Sequence, residues 1–425
     1  MTVIGVDDVD AVGEGGVLAV AKGDLVTPLA RDRAKERNVS VLNAGEPAAE
    51  PGPRPQQSRP PLAANRTGNG RSPSPAPPPP GALPVSGALY RRGAPAAALG
   101  WPVPKPAGAN GNGNGNGRRS RVTVVGAGHV GAQVAARLAD ADRFSEVVIV
   151  DVADGLAEGI ALDLWHSSAL RGFDTRVTGS TDLAAGAGSD FVVITAGRAR
   201  QPGMTRTDLT QMNAAIVGEI SRGVAQHSPN AIVVVVTNPL DEMTELAWRT
   251  TGFAPQRVMG MAGVLDAARF CALTALGGTG RPDQVAAMAL GSHGEEMVIP
   301  LSQATVAGRP ITSVVDAPTL EALVVRARDS GAEVVRHLKT GSAFFAPAAS
   351  VARMVLAMAA DTREVVPACV RADGTYGIRD VYLGLPARIG RAGVLEIVEL
   401  PLTAAELEQL RAAAARIDER ARQLV

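Results

Sequence analysis

From Arg121 onward the apolar positions arrive in short, nearly unbroken runs: Val122–Val125, Val147–Val150, Phe191–Thr195 and Ile232–Thr237. Alanine-rich stretches of helical character separate them. A strand with one face in water alternates apolar and polar residues, whereas a run without alternation is buried on both faces. The rhythm therefore predicts an α/β fold, a parallel sheet with helices on each side. The chain closes on Thr403-Ala-Ala-Glu406, a capping box, followed by Leu407, Leu410, Ala414, Ile417, Ala421 and Leu424 on one helical stripe. That stripe reads as the core-facing side of an amphipathic helix.

Ahead of Arg119 the pattern is lost. Residues 45–118 are built from Pro, Gly, Ala, Ser, Asn and Arg, with Pro77 to Pro80 in a row and an alternating Gly-Asn tract from Asn110 to Gly117. Such a segment has too little branched apolar surface to offset the entropy of ordering it, and is expected to be a disordered linker. Residues 1–44 differ again. Val17–Val20 reads as a strand, Thr27-Pro28 as an N-cap with proline at the first helical position, Leu29–Arg37 as a short charged helix, Asn38 as a left-handed stop and Val39–Leu42 as a second strand. A unit this small is expected not to bury a core alone, and so to be frayed or completed by a partner.

Composition narrows the partners. The 425 residues carry 42 basic and 42 acidic side chains, so no overall field would recruit nucleic acid or an anionic membrane. Asp7, Asp8 and Asp10 stand where an export signal would be basic, and the longest aliphatic run, Ala231–Val236, is far too short to span a bilayer. Two cysteines, Cys271 and Cys369, cannot build a disulfide framework or a cysteine-based zinc site. They suit a reducing cytoplasm as inert thiols, and no metal site is expected.

The sharpest local motif follows the first strand. Gly126-Ala127-Gly128-His129-Val130-Gly131 lies between Val122–Val125 and a helix expected over Ala132–Ala139. In a dinucleotide turn the first glycine permits the bend, the second lets backbone approach a pyrophosphate, and the third lets helix and strand pack closely. The phosphates then meet free N–H groups at a helix N-terminus. Asp151 ends the next strand, about 20 residues beyond the last glycine, where a carboxylate accepts from ribose hydroxyls. That carboxylate would repel a 2′-phosphate, so the cofactor expected is NAD. The sheet is then a doubly wound one of the Rossmann type, occupying residues 119–262. His129 is read as contributing backbone contact only.

Further motifs follow in order: Arg200-Gln-Pro-Gly-Met-Thr-Arg206, Asn213, Thr237-Asn238-Pro239, Gly263-Val-Leu-Asp266-Ala-Ala-Arg269-Phe270 and Gly291-Ser-His293-Gly294. Their order and spacing resemble the lactate/malate dehydrogenase family, most closely its bacterial lactate-dehydrogenase-like malate dehydrogenases. The resemblance implies an α+β substrate domain over 263–425, a homodimer or homotetramer, and a site in which His293 exchanges a proton with the substrate oxygen. An imidazole suits this step because it titrates near working pH. Asp266 would fix the ring's tautomer, and Arg269 would clamp the substrate carboxylate with its planar fork. Arg206 would polarise the carbonyl from a loop, Arg198–Thr207, suited to act as a lid.

By the same resemblance Asn238 would bond the substrate oxygen, Asn213, Val236 and Thr237 would border NAD, and Gly341-Ser342-Ala343 would leave room for substrate. Arg200 carries the choice of substrate. A second guanidinium pairs the distal carboxylate of malate or oxaloacetate but is left unpaired beside the methyl of pyruvate. Malate dehydrogenase is thus the expected activity, with lactate or another 2-hydroxy acid as the alternative. Ser292, in place of a common Gly, and Glu295 and Glu296, where Asp is usual, depart from the family pattern, as does Met261. A third reading comes from Gly23 to Asp32, which resembles an element found ahead of some enzymes of bacterial microcompartments. On it the chain is an interaction module addressed by its N-terminal segment to a partner or shell.

Overall fold

A computed structural model describes residues 3–4, 6–13, 15–21, 25–26, 28–43, 119–198, 205–294, 296–339 and 341–422. The expected linker, residues 45–118, lies outside them, as does most of the expected lid. The described residues fall in two compact units.

The first unit comprises β1 (Val3–Ile4), α1 (Val6–Val12), β2 (Val17–Val20), β3 (Leu25–Val26), α2 (Pro28–Glu36) and β4 (Ser40–Asn43). β1 pairs with β3 and β2 with β4, both in parallel. The unit does bury a small core, contrary to expectation: Val9 of α1 packs with Ala30, Ala34 and Val39. The missing ingredient was α1, whose acids mask an apolar spacing of three. Its Asp10 binds Arg33 at 2.9 Å and Arg37 at 2.5 Å, which ties α1 to α2. Asn38 adopts the left-handed conformation expected of it, with φ of 51°.

The second unit opens with β5 (Arg121–Val125), α3 (His129–Asp140), β6 (Glu146–Val150), α4 (Leu156–His166), the one-turn α5 (Ser168–Arg171), β7 (Arg176–Ser180) and β8 (Phe191–Ile194). Then come α6 (Arg206–His227), β9 (Ile232–Val235), α7 (Leu240–Thr251), β10 (Val258–Gly260) and α8 (Gly263–Thr274). The remainder holds the short strands β11 (Val285–Ala286), β12 (Leu290–Gly291), β13 (Met297–Val298), β14 (Thr305–Val306) and β15 (Arg309–Pro310). After these run α9 (Ala317–Leu338), α10 (Phe345–Ala359), β16 (Val365–Asp373), β17 (Arg379–Gly390), β18 (Gly393–Ile397) and α11 (Ala404–Arg422).

Six strands form the expected parallel sheet in the order β7-β6-β5-β8-β9-β10. Their buried Val and Ile side chains make the core beneath α3, α6 and α7. The sheet does not stop at residue 262. β16 adds antiparallel to β10, and β17, β12 and β13 continue it, giving one sheet of eleven strands with β18 on β17. The halves expected as separate domains thus share a backbone ladder. Chain order reverses between β5 and β8, and at such a switch point the loops diverge and leave a crevice at the carboxyl ends of the strands. Among the described residues no helix is long and apolar enough to cross a membrane.

Candidate active site

The glycine turn sits at that crevice. Gly126 has φ of +106°, and a Cβ there would lie 2.6 Å from the backbone nitrogen of Ala196. Gly131 is tighter, since its Cβ would fall 1.8 Å from the Gly126 carbonyl oxygen. Around Gly128 the opposite holds, with nothing within 4 Å of the position a Cβ would take. Two glycines are therefore required by packing and one faces open space, which is what a pyrophosphate approaching backbone needs. The helix starts earlier than expected: α3 begins at His129, with extended Gly128 as its N-cap, so Val130 and Gly131 belong to its first turn. The leading N–H groups of that turn have no carbonyl of their own helix to bond. This cradle fits NAD.

Asp151 stands opposite. Its Oδ2 accepts from the Ala127 N–H at 2.6 Å and its Oδ1 from the Ala153 N–H at 3.0 Å. The carboxylate thus braces the turn, while each oxygen keeps lone-pair capacity for a ribose hydroxyl. His129 is exposed, its ring 5.2 Å from that of Phe344. Val130 and Val236 are half-buried against the core, and Thr237 donates to the Ala196 carbonyl at 2.7 Å. Asn213, the residue expected to contact NAD, ties the loops that border the crevice. It is buried, its Oδ1 accepts from the Arg198 N–H at 2.7 Å, and its Nδ2 donates to the carbonyls of Arg198 at 3.2 Å and Asn238 at 2.6 Å. Both amide hydrogens are committed to tying the loops after β8 and β9 together. Asn238 itself is exposed at the end of β9, beside a cis peptide to Pro239.

Two elements bring His293, Asp266 and Arg269 together. His293 lies in the turn between β12 and β13, where Gly291 pairs with Met297. Gly291 has φ of +79° and Gly294 of +152°, so the turn depends on its flanking glycines. Nδ1 of His293 lies 2.8 Å from Oδ2 of Asp266 on α8. Arg269, one turn along α8, donates to Oδ1 of Asp266 at 3.2 Å. The ordinary intrahelical ion pair is thus present, and the rest of the fork keeps donors for a carboxylate. Arg206 is the first residue of α6, and a reciprocal capping box between Thr205 and Asp208 fixes the backbone there. Its side chain and Arg200 lie outside the described residues.

A second carboxylate, not foreseen, holds His293 from behind. Asp241 in the first turn of α7 accepts at Oδ2 from the His293 N–H and from the Ser292 hydroxyl, each at 3.1 Å. In the sequence, Asp241-Glu242 at a helix start reads as an ordinary complement to the helix dipole, so nothing local marked it. Burial, reinforced by the adjacent Glu242 carboxylate, pushes the Asp241 carboxyl up to about 6. Burial also opposes charge on the His293 ring, but Asp266 beside it and Asp241 behind it outweigh that and hold its pKa above the ordinary 6.5. The two thiols are poor nucleophiles: burial pushes Cys271 up to about 11 and Cys369 well above its ordinary value.

A dinucleotide crevice and an imidazole braced by carboxylate form the equipment of a dehydrogenase, an enzyme that moves a hydride and a proton between one substrate carbinol and NAD. Residues 120–260 match the lactate/malate dehydrogenase NAD-binding domain, and residues 263–424 match the alpha/beta C-terminal domain of the same family. A malate dehydrogenase of Pelodictyon phaeoclathratiforme is 44% identical over 304 residues, 72% of this chain and 98% of the relative. The structure of malate dehydrogenase from Salinibacter ruber superposes with a TM-score of 0.69 at 40% identity, over 72% of this chain and 97% of that one. The lactate dehydrogenase of Cryptosporidium parvum, complexed with lactic acid and nicotinamide adenine dinucleotide, gives 0.70 at 35% identity, over 72% and 98%. The chain belongs to the lactate/malate dehydrogenase family.

Proposed function

We propose that this chain is an NAD-dependent malate dehydrogenase, interconverting (S)-malate and oxaloacetate. The observation that carries the chemistry is the 2.8 Å contact between His293 Nδ1 and Asp266, which leaves Nε2 for the substrate. In the oxidation direction Nε2 takes the proton of the C2 hydroxyl, and the Asp266 carboxylate stabilises the imidazolium that forms. NAD, when bound, accepts the hydride from C2. Arg269 binds the C1 carboxylate, Arg206 stabilises the developing charge on the C2 oxygen, and Asn238 bonds that oxygen. In reduction the same imidazolium returns the proton.

Both malate and lactate dehydrogenases share the fold, so the choice between substrates rests on Arg200. Its guanidinium supports malate because a distal carboxylate pairs it and a methyl group does not. The Arg200→Gln variant tests this in an assay of NADH oxidation with oxaloacetate and with pyruvate. The ratio of kcat/KM values should swing toward pyruvate by about 100-fold or more. A wild-type preference for pyruvate would overturn the malate reading.

A homodimer or homotetramer is supported by the exposed apolar side chains Leu162 and Trp165 of α4 and Leu170 of α5. The free thiols Cys271 and Cys369 support a cytoplasmic enzyme, and the N-terminal unit, folded around its own core, supports an appended address that binds a protein partner, such as a microcompartment shell. Deleting residues 1–44 should leave kcat unchanged and redistribute the enzyme in cells. An unaltered distribution removes the address.

A further inference from the structure

Two of the residues that depart from the family pattern beside His293, Ser292 and Glu296, meet on one side chain. Arg420, near the end of α11, donates through Nη2 to the Ser292 hydroxyl at 3.4 Å and through Nη1 to both oxygens of Glu296 at 3.1 Å. Its Nε donates to Oε1 of Glu242 at 2.8 Å, a carboxylate side chain only 4% exposed. Arg416, one turn earlier, adds a second contact to Glu296 at 3.1 Å. Ser292 passes the connection on, because its hydroxyl donates to the same Asp241 oxygen that accepts the His293 N–H. The other oxygen of Asp241 is buried with no hydrogen-bond partner among the described residues. Ser292, itself held by Arg420, is thus one of the groups that fix this carboxylate, beside the His293 N–H and the Cys369 thiol of β16.

We infer that Arg420 is a positioning residue for His293: through Ser292 and Asp241 it sets the height of the catalytic turn, and through Glu242 and Glu296 it neutralises the charge behind it. The inference rests on His293 being the acid–base group. A half-buried guanidinium with three separate acceptors is a costly arrangement in a helix, α11, that Leu410, Ala414, Ile417 and Ala421 already anchor. Its acceptors are the turn itself and the residue next to Asp241, so its geometry is spent on the turn. The other charged groups around His293 are Asp266 and Arg269 on α8 and Asp241 on α7, with the Cys369 thiol of β16 beside Asp241. None of these replaces Arg420 as a counter-ion for Glu242 and Glu296 together.

The test uses the full chain and three variants, Arg420→Met, Arg420→Lys and Ser292→Ala, with kcat, KM for both substrates, pH profiles and thermal midpoints. Arg420→Met takes the guanidinium from Glu242 and leaves Glu296 with Arg416 alone, so the negative charge behind the imidazole rises. The acid limb of kcat/KM for malate oxidation should then move to higher pH by roughly half a unit, and kcat should fall on the order of tenfold or more, with the KM for NAD unchanged. Arg420→Lys keeps the charge and loses the fork, so kcat should fall while the limb stays in place. Ser292→Ala cuts the link to Asp241 and leaves the ion pairs, and it should lower kcat severalfold even if the arginine variants fail to fold. Loss of thermal stability with a wild-type kcat and pH limb would mean a purely structural ion pair and would overturn the inference. A wild-type enzyme inactive on every keto acid would instead sink the underlying dehydrogenase reading.

Discussion

The two ends of the active site are built from different materials. At the cofactor end the working parts are backbone: Gly126 and Gly131 leave no room for a side chain, Gly128 faces open space, and the donors are N–H groups of a helix start. The substrate end is made of side-chain charge, with His293 held at its ring by Asp266 and at its backbone by Asp241, and Arg269 joined to the first of these. Shape does not titrate, and charge does. Cofactor affinity should therefore be nearly flat with pH across neutrality, whereas turnover should follow His293. The sheet is the reason both ends stay in register, since the cofactor strands and the strands flanking His293 belong to one ladder.

The largest break in that comparison comes from Asp266→Asn. The amide keeps the shape of the carboxylate and removes its charge, so the substrate end should suffer alone. Turnover should fall by about 100-fold or more, because the imidazolium formed during oxidation loses its counter-charge. The sign of the pH effect follows from what raises the pKa of His293. Burial pulls it down and Asp266 is the main force holding it up. Malate oxidation needs the neutral ring and so rises with pH through this pKa. Without Asp266 the pKa drops, and the limb moves to lower pH as the plateau falls, opposite to the shift expected for Arg420→Met. Stopped-flow kinetics across pH would show it, with NADH binding followed by fluorescence as the control. A limb that moves upward would mean that Asp266 does not govern the ring.

The same contrast explains what the sequence could disclose. The glycine turn is local: strand, turn, helix and acid stand within one stretch from Val122 to Asp151, and periodicity plus spacing sufficed to read them. Even so, α3 begins three residues ahead of the expected Ala132, because Gly131 makes its close approach to Gly126 from within the first turn of the helix. The pair of His293 and Asp266, 27 residues apart, was legible only through family resemblance. Asp241 was not legible at all, since an acid at a helix start has an ordinary explanation and its partner lies 52 residues on. Ser292 and Glu296 were visible only as departures. Their meaning lies in Arg420, more than a hundred residues away, and no local pattern connects them. The extension of the sheet by β16 and β17 was missed for the same reason, as antiparallel pairing depends on distant partners.

The smallest expected effect is also the most discriminating for the cofactor end. Gly128 has φ of −65° and ψ of −178°, a conformation that alanine adopts without strain. Its Cβ would meet nothing, so Gly128→Ala should fold with a thermal midpoint close to wild type, the stiffer unfolded chain offsetting alanine's poorer fit at an N-cap. The added methyl nevertheless projects into the space that a pyrophosphate must enter to reach the N–H groups of α3. Affinity for NADH should weaken by about tenfold, equivalent to about 1.4 kcal/mol, while the pH limb set by His293 stays where it was. Gly131, where the same methyl would strike the Gly126 carbonyl, offers no such separation of folding from binding. If Gly128→Ala binds NADH as tightly as wild type, the open space at that turn is not the phosphate path. The division between a cofactor end made of shape and a substrate end made of charge then loses its first half.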